Sequence, residues 1–210
     1  MKVQYAMDGL LDECLEKAER YRDRLDVIEI GEKIIYHESQ NIIPKIKEMF
    51  PDKKVVVDLK FMDGGYNFSK EMFALGADIV TVCAAADRDC LEGVIKAARE
   101  DGKEAWLDLI GIEPRFYKNY VDISNELGFD YVCAHFSGPM FRDEPGIFAR
   151  KDSILLFGKL PFNAKKVVSG KMTTEYIPEM KEAKIDVVNL GSIINRSLNA
   201  DSMLERFRAV

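Results

Sequence analysis

Apolar residues along the chain fall into short runs that alternate with longer amphipathic stretches from one end to the other. The runs at residues 3–7, 27–30, 54–59, 79–82, 105–109, 131–134, 166–168 and 187–190 are β-rich and too short for core helices, so each is predicted as a strand. Between them, residues 10–21, 41–50, 91–100, 123–127 and 173–181 place apolar side chains at three- and four-residue steps, with Lys and Glu on the remaining face. That is the helical pattern. Eight strands alternating with helices in 210 residues predict a parallel sheet. Right-handed crossovers then close it into an α/β fold, a (β/α)8 TIM barrel spanning 1–210 as one domain. A doubly wound open sheet is the competing arrangement, but no Gly-x-Gly-x-x-Gly follows the first strand to favour it. No linker rich in Pro, Gly or Ser divides the chain. Residues 138–163, with Pro139, Pro145 and Pro161, are the least regular and read as a long loop around a short helix.

In such a barrel both sheet faces are covered, so strands should be apolar and a charge at a strand end needs a reason. Here the charges collect at the C-terminal ends, the face that carries the active sites of these barrels. Asp8 follows the first run, and Glu29 lies in Val27-Ile28-Glu29-Ile30-Gly31. Asp58 and Lys60 close Val55-Val56-Val57-Asp58-Leu59-Lys60, with Asp63 just beyond. Asp108 ends Ala105-Trp106-Leu107-Asp108, and His135 ends Tyr131-Val132-Cys133-Ala134. Side chains alternate along a strand, so Asp58 and Lys60 are expected to project together into the barrel mouth. A lone strand-end Asp is more often a helix cap, and a lone His more often a hydrogen-bonded core residue. Seven such residues on one rim exceed what capping requires, and together they predict a site.

Charge narrows the partners. A formal net charge of −6 disfavours nucleic acid, because phosphate backbones need a basic surface. A phosphorylated small molecule is compatible with it, since a few groups hold such an anion locally. No run of about 18 apolar residues is present to span a membrane. The opening Met1-Lys2-Val3-Gln4-Tyr5-Ala6-Met7 is too short and polar for a signal peptide. Cys14, Cys83, Cys90 and Cys133 contain no C-x-x-C pair, which argues against zinc and against a disulfide framework and places the chain in the reducing cytoplasm.

The stretch 55–65, with its Asp-x-Lys-x-x-Asp spacing at Asp58, Lys60 and Asp63, resembles the signature of the orotidine 5'-phosphate decarboxylase suprafamily. The resemblance extends through Gln4-Tyr5-Ala6-Met7-Asp8, Ile28-Glu29-Ile30-Gly31, Gly76-Ala77-Asp78-Ile79-Val80-Thr81-Val82 and Leu107-Asp108-Leu109-Ile110-Gly111. It resumes more weakly at residues 167–170 and 186–192. Glu at position 29, where the metal-free decarboxylases have Lys, is similar to the metal-dependent branch, the 3-hexulose-6-phosphate synthases and 3-keto-L-gulonate-6-phosphate decarboxylases. That resemblance implies a lyase that acts on a phosphorylated ketose through a cis-enediolate, with Mg²⁺ on Glu29 and Asp58. It implies catalytic roles for Asp8, Lys60, Asp63, Asp108 and His135, with His135 carrying protons. It also implies a homodimer with shared active sites, in which Asp63 reaches the neighbouring subunit.

Four positions divide the branch. The decarboxylases resemble one another in having Glu at the place of Asp108, Arg shortly after the His, Thr near Ser169 and Arg at the place of Ser192. By that comparison the chain is similar to the synthases, which add formaldehyde to ribulose 5-phosphate, with keto-gulonate phosphate decarboxylation as the alternative. A barrel that keeps the rim but only binds a phosphosugar is the alternative of another class. The resemblance assigns phosphate binding to Ser169, Gly170, Lys171, Gly191 and Ser192, where Lys171 and Ser192 replace the usual small or glycine residues. Lys171 either supplies charge to the phosphate in place of a backbone contact, blocks the pocket, or is a solvated lysine at a helix start.

Overall fold

Every predicted strand is present in the computed structural model of the chain, which describes residues 1–136 and 149–210. The eight strands among the described residues are β1 (Lys2–Met7), β2 (Val27–Ile30), β3 (Lys54–Phe61), β4 (Ile79–Cys83), β5 (Glu104–Asp108), β6 (Tyr131–His135), β7 (Lys165–Ser169) and β8 (Val187–Leu190). Each pairs in parallel with the next, and β8 returns to β1, so the sheet closes as a (β/α)8 barrel. Closure leaves no unpaired sheet edge.

Alternation along each strand divides the apolar residues between two cores. Outward residues such as Val3, Tyr5, Ile28, Ile30, Val55 and Val57 pack under the helices in the main core. The inward set, Val27, Val56, Ile79, Trp106, Tyr131, Cys133, Val167 and Val187, forms a separate cluster that fills the barrel interior. Trp106 and Tyr131 stack there with ring centroids 5.8 Å apart. This apolar plug is the floor on which the C-terminal mouth rests.

The helices follow the predicted periodicity where their buried faces are apolar, as in Leu11–Arg20, Ile42–Met49, Arg88–Asp101 and Val121–Leu127. The predicted 173–181 helix begins as a tight turn, Thr174–Tyr176, and continues as Ile177–Glu182. Part of the irregular stretch 138–163 lies outside the described residues; the rest holds the helix Arg150–Lys159. Helix Gly65–Ala74 is not announced by hydropathy, because its buried face includes Gly65 and Ser69 beside Met72 and Phe73. Small residues are what that packing demands. A Cβ on Gly65 would lie 2.2 Å from the Cys90 carbonyl oxygen of the facing helix. No helix among the described residues is long and apolar enough to cross a membrane.

Gly65→Ala is therefore expected to force these two helices apart and lower stability by about 1–3 kcal/mol, an overpacking effect. A fall in the urea midpoint with an unchanged m-value is the readout, and an unchanged midpoint would refute the close packing.

Candidate active site

One step along each strand from the apolar plug, the inward positions become polar. Strand β1 contributes Gln4 and then Ala6, with Asp8 just past its end; β2 contributes Glu29, β3 Asp58 and β4 Thr81. Asp108, His135, Ser169 and Asn189 follow from β5, β6, β7 and β8. Register makes this a layer: Ala6 pairs with Glu29, Glu29 with Val56, Gln4 with Asn189 and His135 with Ser169. Above the layer opens a cavity of about 310 Å³ lined by Asp8, Glu29, Asp58, Lys60, His135 and Lys171, among others. Ser169, Gly170, Gly191 and Ser192 line it too, so the β7 and β8 ends meet the carboxylates as the sequence predicted.

Asp58 and Lys60 do come together, though not by simple alternation. The pairing of β3 with β4 shifts between Val57 and Phe61, and Lys60 sits at φ +47. A regular strand was expected here; the irregular one turns the Lys60 ammonium back onto the Asp58 carboxylate. Thr81 locks the pair, donating to Asp58 Oδ1 at 2.7 Å and accepting the Lys60 backbone N–H at 2.9 Å. Lys60 Nζ also lies 3.4 Å from Glu32 Oε1. Burial by itself would lower the Lys60 pKa, but the Asp58, Asp108 and Glu29 carboxylates outweigh it and hold the ammonium charged.

Glu29 is a deeply buried acid of the mouth, at 3 % exposure, comparable with Asp108 at 2 %. Its carboxylate accepts from Gln4 Nε2 and, at 2.7 Å, from Asn189 Nδ2. Burial pushes its pKa well above the usual carboxylate range, and the charges of Asp58 and Asp8 push it further. Asp8 stands at the rim with much of its surface open, yet its carboxyl is walled by protein. Burial raises its pKa, as does Asp58, while Lys60 partly opposes. Asp8, Glu29 and Asp58 thus crowd one side of the cavity, with Lys60 among them.

Across the mouth, His135 Nδ1 lies 3.1 Å from Asp108 Oδ2, and Asp108 Oδ1 accepts the Ile110 N–H at 2.8 Å. Burial depresses the imidazole, but the Asp108 charge and hydrogen bond more than compensate, so the net shift is upward. Asp108 and His135 also bring ligand atoms within 4.8 Å of the Cys133 thiol. That thiol is fully buried and pushed well up by burial, a poor match for a hard cation.

Gly170 has φ +93, and a Cβ there would lie 2.2 Å from the Phe136 carbonyl oxygen. Only glycine fits. Lys171 follows at φ +53, in the region that side chains rarely adopt, and lines the cavity. Asp63 is not brought to this cavity; it is exposed, and its carboxylate accepts the Gly64 N–H at 2.6 Å. Gln4, Glu32, Thr81 and Asn189 were not singled out in the sequence. Gln4, Thr81 and Asn189 carried a readable signal, a polar residue at inward parity inside an apolar run. Asn189 Oδ1 is buried with no partner among the described residues, an acceptor left open beside the cavity. Two further clefts, of about 510 and 470 Å³, open at the opposite end of the barrel and hold none of the predicted site residues. Their charges are largely paired, as in Lys47–Asp78 at 2.6 Å and Lys103–Asp78 at 2.9 Å.

Comparison with known proteins gives the same family from independent directions. The family model of the orotidine 5'-phosphate decarboxylase / HUMPS family matches residues 1–136. A 3-hexulose-6-phosphate synthase of Bacillus subtilis (strain 168) is 32% identical over 193 residues, 91% of this chain and 89% of that protein. A 3-hexulose-6-phosphate synthase of Mycobacterium gastri is 32% identical over 213 residues, covering 100% of this chain and 99% of that protein. The crystal structure of 3-hexulose-6-phosphate synthase from Salmonella typhimurium superposes with a TM-score of 0.88 at 29% identity, covering 100% of this chain and 97% of that one. The barrel, the polar layer at its mouth and these similarities agree: the chain belongs to the orotidine 5'-phosphate decarboxylase / HUMPS family.

Proposed function

We propose that the chain is a lyase of the 3-hexulose-6-phosphate synthase type, which joins formaldehyde to ribulose 5-phosphate by an aldol addition. The observation that carries this reading is the Asp108–His135 pair, 3.1 Å apart, facing the Asp58–Lys60 pair across one cavity. A base on one wall and a fixed positive charge on the other are what enolisation of a ketose requires.

In this mechanism neutral His135 takes the proton from the hydroxymethyl carbon beside the ketose carbonyl. Asp108 orients the ring through Nδ1 and stabilises the imidazolium that results. Lys60 lies toward the enediolate oxygens and offsets their charge. The nucleophilic carbon then bonds to the carbon of formaldehyde, whose oxygen takes up a proton to become the new hydroxyl. The open Asn189 Oδ1 is available to a substrate hydroxyl, which would satisfy it.

The donor set fits a hard divalent cation. Glu29 and Asp58 offer carboxylate oxygens on adjacent strands, and the crowding of Asp8, Glu29 and Asp58 leaves negative charge that Lys60 alone does not neutralise. Mg²⁺ held by Glu29 and Asp58 would supply Lewis-acid stabilisation of the negative charge that develops on the substrate. The exposed Asp63 belongs to this reading as a residue of a homodimer's shared site, beside the exposed apolar side chains Met62 and Phe68. The four cysteines are free, in keeping with a cytoplasmic enzyme. Ser192 and Asp108 stand against the keto-gulonate phosphate decarboxylase alternative, which the assay below separates.

Purified protein with Mg²⁺ is expected to consume formaldehyde only when ribulose 5-phosphate is present, and to stop when a chelator is added. Release of CO2 from 3-keto-L-gulonate 6-phosphate without formaldehyde consumption would move the assignment to the decarboxylase. Silence in both assays with phosphosugar binding would leave a binding protein.

His135→Ala should lower kcat about 10²–10⁴-fold, the usual span for a lost general base. Asp108 raises the His135 pKa, and proton abstraction needs the neutral ring. Asp108→Asn should therefore slow turnover and move the acid limb of the pH–rate profile to lower pH. An unmoved limb would remove His135 as the base.

Glu29 has a raised pKa in the folded state, so its contribution to stability is present below the unfolded value of about 4.3 and is lost as pH climbs through the folded one. Glu29→Gln keeps an acceptor but no charge. In metal-free buffer it should flatten the decline of Tm toward neutral pH, leaving the variant a few degrees more stable there, about 2–4 °C for each kcal/mol. Mg²⁺ should raise the Tm of the wild type and not of the variant. Equal Mg²⁺ responses would exclude Glu29 as a ligand.

A further inference from the structure

Glu32 lines the catalytic cavity as the first residue of helix Glu32–Glu38, which follows β2. Its backbone is fixed at that place. The Gly31 N–H donates to the Met7 carbonyl at 3.3 Å, and a Cβ on Gly31 would lie 2.1 Å from Asp8 Oδ1. The chain therefore enters the helix pressed against the end of β1. The Glu32 side chain is 48 % exposed, yet its Oε1 lies 3.4 Å from the Lys60 ammonium, on a side chain only 12 % exposed. An acid on the solvent side thus faces a lysine on the cavity side.

Lys60 has two carboxylates within 4 Å among the described residues, Asp58 and Glu32. Asp58 is the one it holds. The Asp58 Oδ2 takes the ammonium, and Oδ1 takes the Thr81 hydroxyl at 2.7 Å. Both oxygens of a proposed metal donor are therefore engaged. A divalent cation arriving at Asp58 meets the ammonium on the same carboxylate, and the two positive groups repel. Lys60 then needs another acceptor or turns out to water. Glu29 is the second proposed metal donor, and Asp8 is not among the carboxylates within 4 Å. Asp108 is engaged through Oδ2 with His135 and through Oδ1 with the Ile110 N–H. Glu32 is left. Lys60 Nζ has to close by only about half an ångström to reach a charge-assisted distance of about 2.8 Å. The backbone need not follow, since Thr81 Oγ1 accepts the Lys60 N–H at 2.9 Å.

We propose, resting on the metal reading above, that Glu32 is a positioning residue that receives the Lys60 ammonium when a divalent cation takes Asp58. In the metal-free site Lys60 neutralises Asp58. In the loaded site Mg²⁺ does so, and Glu32 keeps the ammonium at the cavity wall, where it remains beside the substrate instead of being lost to solvent. The exchange makes Lys60 easier to displace and so strengthens metal binding. Glu32 acts through Lys60 and not as a ligand itself.

Calorimetric titration of Mg²⁺ into the substrate-free protein tests this without turnover. E32Q should bind Mg²⁺ about 3–5-fold more weakly than wild type, the scale of a half-exposed ion pair. K60M should bind it more tightly than wild type, because no ammonium competes for Asp58, and the E32Q/K60M double variant should match K60M. Equal affinities of wild type and E32Q overturn the proposal. So does a weakening by E32Q that persists in the K60M background, since Glu32 would then act as a general negative charge or a direct ligand. Crystals grown with Mg²⁺ give a measurement that needs no variant. Lys60 Nζ is expected within about 3 Å of a Glu32 oxygen and off Asp58; an ammonium still on Asp58 refutes the exchange. The metal reading fails separately. Mg²⁺ binding that survives E29Q unchanged removes the metal site and this exchange with it, whereas binding lost in E29Q but indifferent to E32Q leaves the metal site standing and the exchange overturned.

Discussion

Side-chain parity in a closed parallel barrel is the constraint on which the site depends. Closure fixes which residues of each strand point inward, and register fixes the height at which they meet. Below, the inward positions are Val27, Val56, Ile79, Trp106, Tyr131 and their neighbours, a buried apolar plug. One step higher they are Glu29, Asp58, Thr81, Asp108, His135, Ser169 and Asn189. A register slip of one residue on any strand would carry its polar member into the apolar layer behind the sheet, where an unpaired charge is untenable. The rigidity of the site is therefore the rigidity of the sheet.

That arrangement stores electrostatic tension. Glu29 is placed where it is difficult to ionise, and Asp8 and Asp58 make it more so. The local network relieves only part of this: Gln4 and Asn189 donate to Glu29, while Thr81 and Lys60 serve Asp58. Backbone strain is concentrated at the same place. Four non-glycine residues among those described have positive φ, and two of them, Lys60 and Lys171, line the catalytic cavity. Such conformations cost on the order of 1–3 kcal/mol each and persist where the surrounding fold over-determines them. A fold selected for stability alone would place a hydrophobic residue at Glu29 and a glycine at Lys171. The proposed function, with Mg²⁺ beside an anionic substrate, would call for what stability alone would discard.

The sequence made the architecture legible because parallel strands buried on both faces are apolar runs, and interruptions such as Glu29 and Asp108 stand out against them. Helix Gly65–Ala74 escaped the same reading, since tight helix contact is made with Gly65 and Ser69 rather than with large apolar residues. Thr81 and Asn189 escaped for a different reason. Each is a single uncharged polar residue within a strand, and its importance lies in what it touches on another strand. The place of Lys60 was foreseen for an incomplete reason: alternation predicts its side, but the irregularity in β3 and the Thr81 hydrogen bond fix its direction. Pairwise partners separated by 20 residues or more, as in Asn189 with Glu29, are properties of the closed barrel and not of any local pattern.

The division of charge around the mouth connects these features to selectivity. Enolisation places negative charge on substrate oxygens, so its environment must be positive when the reaction occurs. A wall of carboxylates is a paradoxical choice unless a cation sits among them. Lys171, which lines the same cavity, carries the opposite charge to Glu29 and Asp58, so the two ends of a phosphorylated ketose would meet different surroundings there. Glu29 and Asp58, the donors proposed for Mg²⁺, belong to this same acidic wall. The neutral residues Thr81 and Asn189 complete that wall by donating to Asp58 and Glu29, which supports the two carboxylates without adding charge.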